Sequence, residues 1–191
     1  MPSMKDDFNE LLERVRRGRE LSHASFEPVY YLVFAPKLIL DVKRQLPAWE
    51  ARLRNEGWEV HTFSIAEAVL DIVRSAPLRK LWLRADSRQP LAWEKANASI
   101  ANRLEQEKDI ERRLAAKLEE LKDANNGILL VTDLEALHPY MRIGAIEGAL
   151  SEKFYVPTVF FYPGKRAGKS TLSFLGFYPD DGNYRSCHVG G

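Results

Sequence analysis

The hydrophobic and polar positions of this chain follow two periods in turn, and together they predict alternating helices and strands. Phe8, Leu11, Leu12 and Val15 fall at i, i+3, i+4 and i+7, one apolar stripe of an amphipathic helix over residues 1–20. Ser3 is placed to cap this helix and Gly18 to end it. Residues 19–28 form a polar connector closing at Pro28. Val29 to Ala35 (VYYLVFA) is a continuous run of β-formers without inside–outside alternation, which predicts a strand covered on both faces. A helix follows with apolar positions at Leu38, Ile39, Val42, Leu46, Trp49 and Leu53. Pro47 lies inside it and Gly57 just beyond its end. Val60 to Phe63 reads as a short strand. Ser64 and Glu67 form a capping box for a helix carrying Ile65, Val69, Ile72 and Val73.

Residues 76–93 break the alternation. Pro77, Pro90, Trp82 and Trp93, with basic residues between them, predict a short helix and a loop. Residues 94–123 are helical and highly charged, with Ile100 and Leu104 on one stripe and Ile110, Leu114, Leu118 and Leu121 on another. The polar stretch between these stripes predicts two helices or one with a register break. The region 76–123 therefore reads as a charged helical insertion.

The last third regains the pattern. Ile128 to Val131 is a buried strand ending at Thr132-Asp133. A helix from about Pro139 carries Met141, Ile143, Ile146 and Leu150, and Val156 to Tyr162 is a further strand. Thr171 to Phe177 and Tyr184 to Val189 are expected to close the sheet as an antiparallel pair around the Asp181-Gly182-Asn183 turn. Strand–helix alternation implies a mainly parallel sheet with helices on both faces, in one domain spanning 1–191.

Composition adds limits more than activities. A length of 191 residues suits a single domain able to bury roughly 70% of its unfolded surface without metal or disulfide. Twenty-eight Lys and Arg against 27 Asp and Glu argue against a dedicated nucleic-acid binder. The single cysteine, Cys187, leaves no partner for an internal disulfide or a multi-cysteine metal site. The first thirty residues are too charged for a signal peptide and no apolar run reaches membrane-span length, so a cytoplasmic protein is expected.

The chemistry is expected beyond the carboxyl ends of the strands, where open parallel sheets bind ligands. Asp133, His138, Arg142, Lys165, Arg166 and Lys169 would rim a common crevice there. Gly164-Lys-Arg-Ala-Gly168-Lys169-Ser170 resembles a phosphate-binding loop. Its glycines are three residues apart where the motif has four, and a strand rather than a helix follows, so a surface turn is the preferred reading. Ile128 to Asp133 resembles a magnesium-holding strand end, against the plainer reading of a turn-capping aspartate. Asp133, Lys165 and Lys169 remain the weak candidates for a nucleotide site, with a degenerate nucleotide hydrolase as the enzymatic alternative. His23, His61, His138 and His188 have no metal-ligand spacing, and no catalytic residue, cofactor or metal is expected. Basic residues over 74–95, with Trp82 and Trp93 among them, offer a nucleic-acid patch as a further alternative.

Leu137-His138-Pro139-Tyr140-Met141-Arg142-Ile143, Val159-Phe160-Phe161-Tyr162-Pro163-Gly164 and Asp181-Gly182-Asn183-Tyr184-Arg185 occur in that order. With Tyr31-Leu32-Val33-Phe34 and Gly57-Trp58-Glu59-Val60, they resemble the BrxB family, a small component of BREX bacteriophage-defence systems. The resemblance implies an α/β domain like those of P-loop proteins but without a working nucleotide loop. It implies a non-enzymatic subunit acting by contact with other BREX subunits, PglZ foremost, and with nucleic acid only through the complex. No catalytic residues carry over, and oligomeric state is not implied. The aromatic and basic residues of the C-terminal third, Arg142, Tyr162, Lys165, Arg166, Lys169, Tyr178 and Tyr184, are the expected contact surface.

Overall fold

The computed structural model describes residues 3–20, 28–167, 171–180 and 186–191, and places five parallel strands in one sheet. Helix α1 (Met4–Glu20) precedes β1 (Val29–Phe34), α2 (Ile39–Asn55) and β2 (Glu59–Ser64). Helices α3 (Ile65–Ser75), α4 (Arg79–Arg88), α5 (Trp93–Glu107) and α6 (Asp109–Glu120) then lead to β3 (Gly127–Thr132). The chain ends with α7 (Ile143–Ala149), β4 (Thr158–Arg166), β5 (Leu172–Phe174) and β6 (Cys187–Gly190). The strand order is β2-β3-β4-β1-β6, and β5 pairs antiparallel with the far end of β4.

Every residue of β1 and β3 is buried, as their unbroken apolar runs require. Alternate side chains enter two cores. Tyr31, Val33, Leu129, Val131 and Phe160 meet α3 to α7 on one face. Tyr30, Leu32, Leu130, Val159 and Phe161 meet α1 and α2 on the other, where Phe8 stacks on Trp49 at 4.4 Å between ring centroids. The β1-to-β2 connection runs one way across the sheet on the α2 face, and the β2-to-β3 and β3-to-β4 connections run back on the opposite face. That arrangement keeps each crossover right-handed.

The local signals are met where caps can form. Ser3 Oγ accepts from the Asp6 amide at 3.3 Å while Asp6 accepts from the Ser3 amide at 3.0 Å, a reciprocal capping pair. Helix α1 continues through Gly18 to Glu20, because burial of Phe8, Leu11, Leu12 and Val15 outweighs one glycine's propensity. Gly57 sits at φ 90° and closes α2: its amide donates to Arg54 and that of Trp58 to Leu53. These two bonds, with Trp58 buried beside Leu53, make a Schellman termination. Lys108, at φ 49°, is the register break between α5 and α6.

Two expectations fail. Among the described residues, the two C-terminal segments do not pair with each other. β5 returns along β4, and β6 adds to β1 as a parallel edge, Tyr31 opposite His188. A local turn motif favoured the hairpin, but parallel burial of Val189 against the α1 face decides the position of β6. The helix expected from Pro139 begins instead at Ile143. Arg142 is extended, and a 3-10 turn at Leu134–Leu137 buries both its leucines. The turn Asp181-Gly182-Asn183 and Tyr184 lie outside the described residues.

Candidate functional site

The carboxyl ends of β1, β3 and β4 lie on one edge, at the point where the connections reverse direction across the sheet. This is where an open α/β sheet places its ligands. Asp133 follows β3 in the left-handed region at φ 60°, a conformation Asp tolerates better than most residues. It is held from three elements. Ser64 Oγ, at the end of β2, donates to its carboxylate at 2.7 Å, and Thr132 Oγ1 at 3.0 Å. The Lys43 ammonium, from α2, lies 2.7 Å from Asp133 Oδ1 and 2.7 Å from Glu135 Oε1. Ser64 also accepts from the Glu67 amide at 3.2 Å, so one hydroxyl caps α3 and ties β2 to β3.

The electrostatics follow from this geometry. Burial alone would push the Asp133 carboxyl up, but the hydrogen bonds from Lys43, Ser64 and Thr132 and the lysine charge hold it below its ordinary value. Burial likewise opposes the charge on Lys43, yet its two carboxylate partners keep its pKa raised. The ammonium thus stands between the two carboxylates and neutralises part of their charge. The hollow beneath, lined by Phe34, Val42, Leu46 and Phe161, has a volume of about 30 Å³. Such a volume admits one or two waters, whereas small-molecule sites occupy roughly 300–1,000 Å³. Among the described residues no group of three His, Cys, Asp or Glu side chains could hold a metal ion.

Lys165 does not join this cluster. Gly164 to Arg166 extend β4 and pair with β5, and the Ala167 amide donates to the Thr171 carbonyl at 2.9 Å, so this is a strand-to-strand connection. A Cβ at Gly164 would lie 2.3 Å from the Ser173 carbonyl oxygen, so close strand packing accounts for that glycine. Lys165 and Arg166 are exposed, and Arg166 reaches toward β6, 3.5 Å from the His188 carbonyl oxygen. Lys169 lies outside the described residues.

A second cluster forms beside this connection. The turn after β5 carries Phe177, 66% exposed, and Tyr178. The Arg142 guanidinium lies 3.5 Å from the Tyr178 ring centroid, and the His138 ring packs edge-on against Phe177 at 5.5 Å and Tyr178 at 5.6 Å. Ser173 Oγ donates to the Tyr178 carbonyl at 2.8 Å and fixes the turn. Arg142 and Tyr178 are therefore brought together in this cluster. Tyr162 is not part of it: at 1% exposure it packs between Tyr31 and Phe174 in the core, because β4 is covered on both faces. Sequence reasoning missed Lys43, a polar position beside Val42 on a helix read only for its apolar stripe, and took Ser64 only as a cap.

In the basic segment 74–95, Trp82 is buried and its indole N–H donates to Ser99 Oγ at 2.9 Å. It cannot serve as a stacking platform. Trp93 remains 54% exposed.

Fold and strand ends together define an open parallel α/β domain whose usual ligand crevice is closed by its own lysine. The family model described as BREX protein BrxB matches residues 61–189, and the chain belongs to that family, a component of BREX phage-defence systems. The matched span includes Asp133 and the Phe177–Tyr178 turn but not Lys43. No curated protein and no solved structure matches the chain. No helix among the described residues is long and apolar enough to cross a membrane.

Proposed function

We propose that this chain is a non-catalytic adaptor of a cytoplasmic BREX complex, acting by protein contact, with PglZ as its principal partner. The observation that carries this reading is the aromatic knuckle in which Phe177 and Tyr178, from the turn after β5, meet His138 and Arg142, from the segment between β3 and α7. Aromatic residues and arginine dominate the energetic centres of protein interfaces, and here they are fixed in place before any partner arrives. Lys165 and Arg166 provide a basic rim nearby. The closed crevice at Asp133 supports the non-catalytic half of the proposal, because Lys43 already satisfies the carboxylates a nucleotide-bound metal would need. Nucleic acid is reached through the complex rather than bound directly.

Co-purification with PglZ across a salt series tests the reading. Phe177→Ser and Arg142→Glu should each weaken the complex at every salt concentration. Reversing Arg166 and Lys169 together should act mainly at low salt, by slowing association. Wild-type binding by all three variants would refute the knuckle as the contact.

A further inference from the structure

The elbow between α4 and α5 has surface properties that neither the closed crevice nor the knuckle uses. Nine large hydrophobic side chains are exposed among the described residues, and five of them fall within residues 78–93: Leu78, Leu81, Leu83, Leu91 and Trp93. Scattered exposed leucines need no explanation, but a cluster marks an interaction site. Trp93 lies seven residues before Ile100 and eleven before Leu104, on the stripe by which α5 packs. That stripe runs past the end of the core it covers.

Charge distinguishes the same segment. Residues 74–95 hold six basic side chains against Asp86 and Glu94, a local excess of four in a chain whose net charge is +1. Elsewhere basic residues are mostly paired, as in Arg52–Glu56, Arg103–Glu107 and Arg113–Asp71. Among the described residues, Arg74, Arg79, Lys80, Arg84, Arg88 and Lys95 are exposed and none forms an ion pair. A polar groove of about 560 Å³ lies between Leu78 and α5, with Lys95 the one of these six cations on its wall, beside Asn102, Gln106 and the Arg103–Glu107 pair.

We propose that this elbow docks an acidic amphipathic helix of another protein. On α4, with Trp82 facing the core and about 100° between residues, Leu81 and Leu83 lie on opposite flanks. Lys80 and Arg84 then form the outermost line. In a bilayer that basic crest would enter deepest, which opposes membrane insertion. A nucleic acid would meet the cations but would leave the leucines of both flanks without apolar cover. A protein helix bearing carboxylates over the crest and apolar side chains beside it satisfies both, by charge complementarity over the cations and apolar cover on the leucines.

The test places a photoreactive benzophenone side chain at Leu91 of the full-length protein in its native host, with the same group at the exposed Leu40 of α2 as reference. The proposal expects crosslinks from position 91 to map to an Asp- and Glu-rich amphipathic segment of another protein. Their yield should fall at least about tenfold in the Arg84→Glu/Arg88→Glu variant, whose melting temperature should match wild type. Replacing the mapped carboxylates by lysine should restore it. Crosslinks to DNA, to lipid or to a second copy of this chain would overturn the proposal. So would a yield no greater than from position 40, or one indifferent to the charge reversal. Phe177→Ser, measured in parallel, should leave the elbow crosslink intact, so failure of the knuckle and failure of the elbow are separately visible.

Discussion

The ends of β3 and β4 share one edge of the sheet and serve opposite ends. Just after β3 both carboxylates are met from within: Asp133 by Ser64, Thr132 and Lys43, and Glu135 by Lys43. Beside the end of β4, the turn after its antiparallel partner β5 carries aromatics outward and leaves Phe177 in water. Strand-end position alone therefore does not identify chemistry. The deciding question is whether the side chains there have internal partners, since a buried polar group already satisfied offers little to a ligand, while an exposed, fixed aromatic gains by being covered.

β4 lies between β1 and β3 in the sheet, so the largest effect should come from breaking β1, the strand against which β4 is paired. Val33 is fully buried between Tyr162 and Gly190 in the register. Val33→Asp puts a carboxylate in that core and should cost more than about 4 kcal/mol, seen as loss of soluble folded protein. Recovery of a folded, cooperative protein would place β1 wrongly.

The next effect is on pH. Burial and the nearby Arg166 charge push the His188 imidazole down to about 4, against an ordinary value of 6.5. The folded state thus prefers neutral His188, and its contribution to stability is present above pH 6.5 and lost as pH falls toward 4. Urea unfolding should show about 3 kcal/mol lost over that window from this group, and His188→Asn should flatten the profile there.

A smaller change should follow at the closed end. Lys43→Met removes the cation from two carboxylates while keeping the stem's apolar contacts. Lys43 is partly exposed, so the cost should be only about 1 kcal/mol in urea unfolding at pH 7. The depressed Asp133 pKa contributes stability above its ordinary 3.8 that is lost as pH falls below it. In Lys43→Met that acid-side loss should shrink. At the open end, Phe177→Ser should change stability by less than about 0.5 kcal/mol, since its ring is mostly in solvent. A large destabilisation would make Phe177 a core residue and remove the contrast.

The sequence made legible what depends on neighbours along the chain. Helical stripes, the Ser3 and Ser64 caps, the Gly57 termination and a break within Glu105 to Asp109 follow from spacing and turn chemistry. Two-sided burial of β1 and β3 follows from their unbroken apolar runs. What depended on distant contacts was not legible. β6 pairs with β1, roughly 150 residues earlier by chain position, and Lys43 meets Asp133 across ninety positions. Tyr162 shows the cost of judging aromatics by proximity to a turn: its strand neighbour Gly164 clears the space in which its ring packs, inside the core.

Phage plating on hosts carrying the complete BREX locus tests most directly that contact at β4, rather than chemistry at β3, is what the protein contributes. Asp133→Asn keeps oxygen and backbone preferences while removing the charge, and Phe177→Ser/Tyr178→Ser removes the exposed rings, with folded amounts of each variant matched. The account predicts full protection with Asp133→Asn and loss of protection with the knuckle variant. Loss of protection with Asp133→Asn and full protection with the knuckle variant would contradict it.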